Sequence, residues 1–327
     1  MGKVFVTRVV PGRAVELLRE AGHDVEVWEG ELPPPAGVLR VRLGDADGVL
    51  ALLTDRFDAE VLSAAPKLRV VANMAVGYDN VNVEDAKAAG VWATNTPGVL
   101  AGTTADFAFA LLLSAARNVV ASERDTRAGG WKTWSPTGFL GPEVHGATLG
   151  IVGFGEIGRE MAKRARGFGM RILVNTRTPD ARDERELGVE HVGLDQLLSD
   201  SDFVSLHVPL TGVTRGLIGA SNLGKMKPTA ILINTARGSI VDQDALADAL
   251  RTGTIAGAAL DVTDPEPLAL EHRLLSLPNV IITPHIASAS VATRSRMAEM
   301  AAANIIAVLR GDAPPNPVVT PPHPRSG

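Results

Sequence analysis

The 327-residue chain predicts an α/β protein made of two doubly wound, parallel-sheet domains, and three observations carry that prediction. Short apolar runs alternate with helix-forming stretches along the chain, the pattern of strands joined by helical crossovers. A glycine-spaced turn, Gly153-Phe154-Gly155-Glu156-Ile157-Gly158, lies near the middle rather than the start. The length exceeds one typical core and suits two.

Strands are predicted first at residues 4–9, 25–28, 48–52, 68–72 and 91–93. Residues 103–120 then read as one long helix, with Thr103 and Asp106 resembling a capping box. Its middle, 107–116, is apolar nearly all round, which predicts burial between domains or against another subunit. A second series of strands follows at 147–152, 171–174, 203–206, 230–234, 257–260 and 280–283. The first of these runs directly into Gly153, and the helix after it, 157–168, gathers Ile157, Met161, Ala162 and Ala165 on one face before Gly167 and Gly169. A helix at 291–309, stopped by Gly311, is expected to return to the first domain. That makes the domain discontinuous, residues 1–98 plus 288–327, around a second domain of 99–287. Hinges are expected near 97–100 and 286–288, and the prolines of 33–35 and 313–324 read as plain loop.

Composition narrows the function classes. A net charge of −5 without any block of like charges argues against a nucleic-acid partner. With no cysteine there is no disulfide, no thiol nucleophile and no Cys-based metal site, and no two histidines have metal-ligand spacing, so no metal is expected. Residues 1–8 read as a first strand rather than a signal peptide, and no run approaches the roughly 18 apolar residues of a membrane helix. A cytoplasmic protein without a membrane partner is the expectation.

The glycine turn has the context of a dinucleotide site: strand before, helix after. The first glycine allows the tight turn, the second lets backbone amides approach a pyrophosphate, and the third lets helix and strand pack closely. The phosphates would sit at the helix N-terminus. An acid usually follows about 20 residues on to bind the ribose hydroxyls. Here that stretch is Thr176, Arg177, Thr178, and no Asp or Glu occurs between Glu160 and Asp180. An arginine there accommodates a 2′-phosphate, so NADP is expected in preference to NAD, with NAD possible.

Three groups follow strand ends on one rim: Arg237, Glu266 and His285. Singly, an arginine there is an ordinary surface ion pair, a glutamate between prolines a loop residue, and a histidine after proline a loop histidine. Together at strand ends of a dinucleotide fold they favour chemistry. Reduction of a 2-keto acid needs a cation for the carboxylate and carbonyl and an acid for the oxygen. Arg237 and His285 supply these, and Glu266 is the carboxylate that would favour the proton-carrying form of the imidazole. His207 closes a strand and is a candidate for the cofactor groove.

Five segments in order, 73–80 (NMAVGYDN), 95–106 (NTPGVLAGTTAD), the glycine turn, 234–238 (NTARG) and 283–288 (TPHIAS), resemble the D-isomer-specific 2-hydroxyacid dehydrogenases, and among them the glyoxylate/hydroxypyruvate reductases, over nearly the whole chain. The resemblance implies a flavodoxin-like substrate domain and a Rossmann cofactor domain in a homodimer. It implies catalysis by Arg237, Glu266 and His285, with the backbone of Val76 and Gly77 on the substrate carboxylate. Cofactor contacts are implied for Thr104, Gly153 to Gly158, Thr176 to Thr178, His207, Pro209, Thr235, Ala236, Asp261 and Ala287. Trp134 corresponds to a tryptophan that reaches the partner's substrate pocket, or else anchors the dimer. The substrate implied is a small 2-keto or 2-hydroxy acid. The same trio leaves open a phosphite dehydrogenase or a nucleotide-sensing corepressor, while Glu266 stands where formate dehydrogenases have glutamine.

Overall fold

The computed structural model describes residues 1–325 and contains two compact units, Met1–Leu100 with the chain from Ala289 on, and Ala101–Ser288. The first unit holds strands β1 (Lys3–Val6), β2 (Asp24–Val27), β3 (Gly48–Ala51), β4 (Val70–Asn73), β5 (Trp92–Thr94) and, from the tail, β13 (Pro317–Val319). The second holds β6 (Thr148–Val152), β7 (Arg171–Asn175), β8 (Val189–His191), β9 (Phe203–Leu206), β10 (Ile231–Asn234), β11 (Gly257–Leu260) and β12 (Val280–Ile282).

In the first unit the order is β13-β5-β4-β3-β1-β2. Read from β2, its parallel part is the 2-1-3-4-5 order of flavodoxin-like folds. Phe5, Val49, Phe57, Leu62 and Val71 are buried in its core. Helix Val291–Arg310 belongs here, packing on helix Ala14–Glu20 and on β3 and β4. Ser290 caps its start by accepting from the N–H of Thr293, and Gly311 ends it at φ 104°, a left-handed conformation that suits glycine. The tail is not all loop, as its prolines suggested: β13 pairs antiparallel with β5 and buries Val319. An edge strand needs few of its own N–H groups, so proline is tolerated there.

The second sheet runs β12-β11-β10-β9-β6-β7-β8, every pair parallel. Counted from β6 this is the Rossmann order 3-2-1-4-5-6 with a seventh strand added. Successive strand residues face opposite layers: Ile151 and Phe203 join helices Ala101–Ala116 and Glu156–Gly167 on one side, whereas Val152 and Val204 join Leu198, Leu246 and Leu250 on the other. β8, only three residues long, was not predicted from sequence, since Glu190 and His191 interrupt any apolar run.

The long helix predicted at 103–120 is two. Helix Ala101–Ala116 ends before Asn118, which adopts φ 52°, and helix Val119–Arg127 leaves at a 63° bend. Asparagine tolerates that conformation, and its side-chain amide donates to the carbonyls of Phe139 and Leu140 at 3.3 and 3.0 Å. Thr103 and Asp106 form no capping box because the helix begins before them; Asp106 instead pairs with Arg164 at 2.6 Å. Among the described residues no single helix is long and apolar enough to cross a membrane. Leu112, fully buried under the second sheet, should be costly to truncate: Leu112→Ala is expected to lower unfolding free energy by about 2–5 kcal/mol in denaturant titration.

Candidate functional site

Strand order in the second sheet reverses between β6 and β9, and open α/β sheets bind ligands outside strand C-termini at such a point. β6 delivers Gly153 there at φ 94°, where an added Cβ would lie 2.6 Å from the carbonyl of His207, just past β9. A Cβ on Gly158 would lie 2.4 Å from the Gly153 oxygen. These two glycines therefore let turn, helix and neighbouring strand close on one another. Gly155 differs, since a Cβ there would meet nothing within 4 Å. It precedes Glu156, where helix Glu156–Gly167 starts, and so leaves an open approach to a positive helix end. The Phe154 ring is buried, and its carbonyl accepts from Arg159 Nη1 at 3.0 Å. Thr235, after β10, has a buried hydroxyl without a hydrogen-bond partner. Glycine cradle, helix terminus and orphan hydroxyl fit a bound dinucleotide.

β7 ends beside this turn. Thr176 is half-buried, Arg177 and Thr178 are exposed, and the first acid beyond them, Asp180, is committed elsewhere. It caps helix Ala181–Leu187 and pairs with Arg182, which holds its carboxyl down at about 2. His207 Nε2 lies 2.9 Å from the Ser205 hydroxyl, and burial pushes the imidazole down to about 4, so it is neutral near pH 7. Pro209 follows in the same loop, its carbonyl accepting from Thr214. Thr104 is buried in the first turn of helix Ala101–Ala116, and Ala236 donates its N–H to Asn234.

On the adjoining strands β10, β11 and β12 the chemistry-bearing trio emerges. His285 Nδ1 and Glu266 Oε2 are 2.8 Å apart, with side-chain exposures of 25% and 31%. The other Glu266 oxygen accepts from the Thr263 N–H at 3.2 Å. Gly238 lies so close to Thr263 that a Cβ would overlap its carbonyl, which draws the Arg237 loop against the Glu266 loop. Asn234 fixes that loop by donating to the Arg237 carbonyl at 2.9 Å.

The sequence did not reveal how His285 is held. Asp261, almost fully buried at the end of β11, accepts from Thr283 Oγ1 at 2.6 Å, from the Ile286 N–H at 2.9 Å and from the Ala287 N–H at 2.7 Å. His285, between these donors, gives its own N–H to the Asp261 carbonyl and sits at φ 55°. A histidine in the left-handed region is strained and persists only where surroundings over-determine it. Ala287, expected at the cofactor, gives its N–H to Asp261. Polar groups aimed by a buried carboxylate leave no periodic trace in sequence.

In the first unit, the Asn73–Asn80 loop is pinned by its carbonyls: Val76 O accepts from Asn95 and Gly77 O from Asn73, at 2.9 and 2.8 Å. The N–H groups of Val76 and Gly77 have no hydrogen-bond partner among the described residues, which leaves two adjacent backbone donors in this loop. Trp134 and Trp131 are 79% and 71% exposed.

Comparison with known proteins agrees with this geometry. Residues 109–287 match the family model for the D-isomer specific 2-hydroxyacid dehydrogenase, NAD binding domain. A glyoxylate reductase of Korarchaeum cryptofilum is 55% identical over 96% of this chain and 95% of its own, and one from Thermococcus litoralis is 49% identical over 96% of each. The crystal structure of the TT0316 protein from Thermus thermophilus superposes with a TM-score of 0.92 at 50% identity, covering 97% of this chain and all of that one. An NADPH-dependent glyoxylate/hydroxypyruvate reductase from Sinorhizobium meliloti, solved with NADP and malonate, gives a TM-score of 0.87 at 35% identity, covering 100% of this chain and 99% of that one.

The glycines predict contrasting variants. Gly155→Ala should fold with little change in melting temperature yet bind NADPH at least about tenfold more weakly in fluorescence titration, whereas Gly153→Ala should lose stability as well. His207 should also shape acid stability. Its folded value lies below the unfolded one near 6.5, so the unfolded chain takes up the proton first. Stability then falls as pH drops from about 6.5 to about 4, by as much as about 3 kcal/mol, and levels off below. His207→Asn should flatten that part of the stability curve measured by denaturant titration.

Proposed function

Because the chain belongs to the D-isomer specific 2-hydroxyacid dehydrogenases, as an NAD(P)-dependent enzyme acting on small 2-keto or 2-hydroxy acids, we propose that it is an NADPH-preferring reductase of glyoxylate and hydroxypyruvate. The observation that carries this reading is the 2.8 Å hydrogen bond between His285 Nδ1 and Glu266, one strand from Arg237. With Nδ1 on Glu266, Nε2 is the nitrogen assigned to carry the proton. The nicotinamide, when bound, supplies a hydride to the keto carbon. As the C=O bond becomes C–O⁻, His285 gives its Nε2 proton to that oxygen, and the product is the 2-hydroxy acid. Arg237 is assigned to the substrate carboxylate and to polarising the carbonyl, and the backbone of Val76 and Gly77 is assigned to the carboxylate. Residues 1–98 and 288–327 are accordingly assigned to the substrate and 99–287 to the cofactor.

The preference for NADPH rests on Thr176, Arg177 and Thr178, where no carboxylate opposes a 2′-phosphate. The dinucleotide is assigned the further contacts Thr104, Gly153 to Gly158, His207, Pro209, Thr235, Ala236, Asp261 and Ala287. A homodimer is the proposed assembly. The half-buried Phe107 and Leu113 and the exposed Trp131 and Trp134 supply apolar surface, and Trp134 is assigned to the partner's substrate pocket or to the dimer contact. The lack of cysteine suits the cytoplasm.

Steady-state assays separate the readings. Oxidation of NADPH is expected with glyoxylate and hydroxypyruvate at higher kcat/KM than with pyruvate or phenylpyruvate, and kcat/KM for NADPH should exceed that for NADH. Arg177→Ala should remove most of that cofactor difference. A clear preference for NADH would refute the cofactor assignment, and no turnover with any of the acids would favour a binding protein.

A further inference from the structure

The strand end at 176–178 is followed closely by carboxylates, and the structure disposes of them one by one. Asp180 pairs with Arg182 at 2.6 Å, and Glu190 on β8 with Arg171 at 2.8 Å. Glu184 and Glu186 are exposed on helix Ala181–Leu187, where solvent and salt screen them. Asp183 is different, because it is the buried acid of that helix and so acts through less solvent. Both of its oxygens are met by one guanidinium: Arg159 Nε donates to Oδ1 at 2.9 Å and Nη2 to Oδ2 at 2.8 Å.

Arg159 comes directly after Gly158, in the first turns of the helix that the glycine turn opens. Its third donor, Nη1, reaches the Phe154 carbonyl at 3.0 Å, and its guanidinium carbon stands 5.2 Å from the centre of the Phe154 ring. The Phe154 ring in turn meets His191 of β8 edge-on at 6.3 Å. One side chain thus joins the phosphate-binding turn to the helix that follows the ribose-binding strand end. Arg177, by contrast, has no carboxylate partner among the described residues.

We propose that Arg159 is a specificity-determining residue for the cofactor: by pairing with Asp183 it neutralises the buried carboxylate of the helix that follows residues 176–178 and leaves Arg177 as the net charge that a 2′-phosphate meets. The proposal rests on the NADPH preference inferred above. A phosphate monoester carries nearly two negative charges at neutral pH, so an unmasked carboxylate nearby penalises NADPH and hardly affects NADH, whose ribose is unphosphorylated. The acid that NAD-binding relatives of this fold place at the strand end would here be present in the first turn of the following helix, in a silenced form.

Dissociation constants for NADPH and NADH, read from nucleotide fluorescence without substrate, test this on the full-length protein. Wild type decides the underlying reading: tighter NADH binding would overturn both it and this proposal. Given a wild-type preference for NADPH, Arg159→Gln should reduce the Kd(NADH)/Kd(NADPH) ratio about fivefold or more, mostly through weaker NADPH binding. The Arg159→Gln, Asp183→Asn double variant should restore it to within about twofold. A merely structural role would weaken both nucleotides together and leave the ratio alone, and that result would overturn the proposal while sparing the reading. So would a double variant that stays as impaired as the single one. Should Arg159→Gln fail to fold with its buried carboxylate exposed to no partner, Asp183→Asn alone remains decisive, because it must keep or raise the preference for NADPH; a lost preference there refutes the masking role.

Discussion

The site depends on one buried carboxylate. Asp261 ends β11 inside the protein, where an unsatisfied charge would be very costly, and three donors from the segment after β12 converge on it. Because those donors are Thr283, Ile286 and Ala287, the chain between them has little freedom. His285 is left in a left-handed backbone conformation, with its ring directed onto Glu266. Side-chain flexibility would otherwise spread the imidazole over several rotamers. Here the backbone and Nδ1 are both constrained, which is the pre-organisation that a general acid needs.

A second constraint acts on the other side of the switch point. Gly153 and the His207 carbonyl approach so closely that no side chain fits between them, and the half-buried His207 ring, neutral near pH 7, adds no charge there. The glycine that is tight serves the fold, and the glycine that is open, Gly155, is the one assigned to the ligand. The proposed cofactor cradle and the proposed acid therefore lie at the carboxyl edge of one sheet, after β6, β7 and β9 on one side and after β10, β11 and β12 on the other.

Much of this was legible in the sequence because parallel strands buried on both faces read as continuous apolar runs: 203–206 and 257–260 coincide with β9 and β11. Arg237, Glu266 and His285 could be singled out because each lies in the segment that follows such a run. What escaped had no periodic signature. β13 hid among prolines, β8 carries charge at Glu190, and the break at Asn118 depends on its side chain reaching carbonyls more than twenty residues away. The capping box at Thr103 failed because the helix already begins at Ala101, which places Thr103 and Asp106 inside it. The role of Asp261 as the tether of His285, and the Arg159–Asp183 pair, are relations between distant segments that only the folded chain displays.

The central claim is that His285, held by Glu266, donates the proton during reduction. It is tested most directly by measuring glyoxylate turnover and the NADPH dissociation constant together in His285→Ala. Loss of a positioned general acid should lower kcat by about 10²–10⁴-fold while the dissociation constant stays within about threefold of wild type. Turnover close to wild type, with cofactor binding intact, would contradict the account.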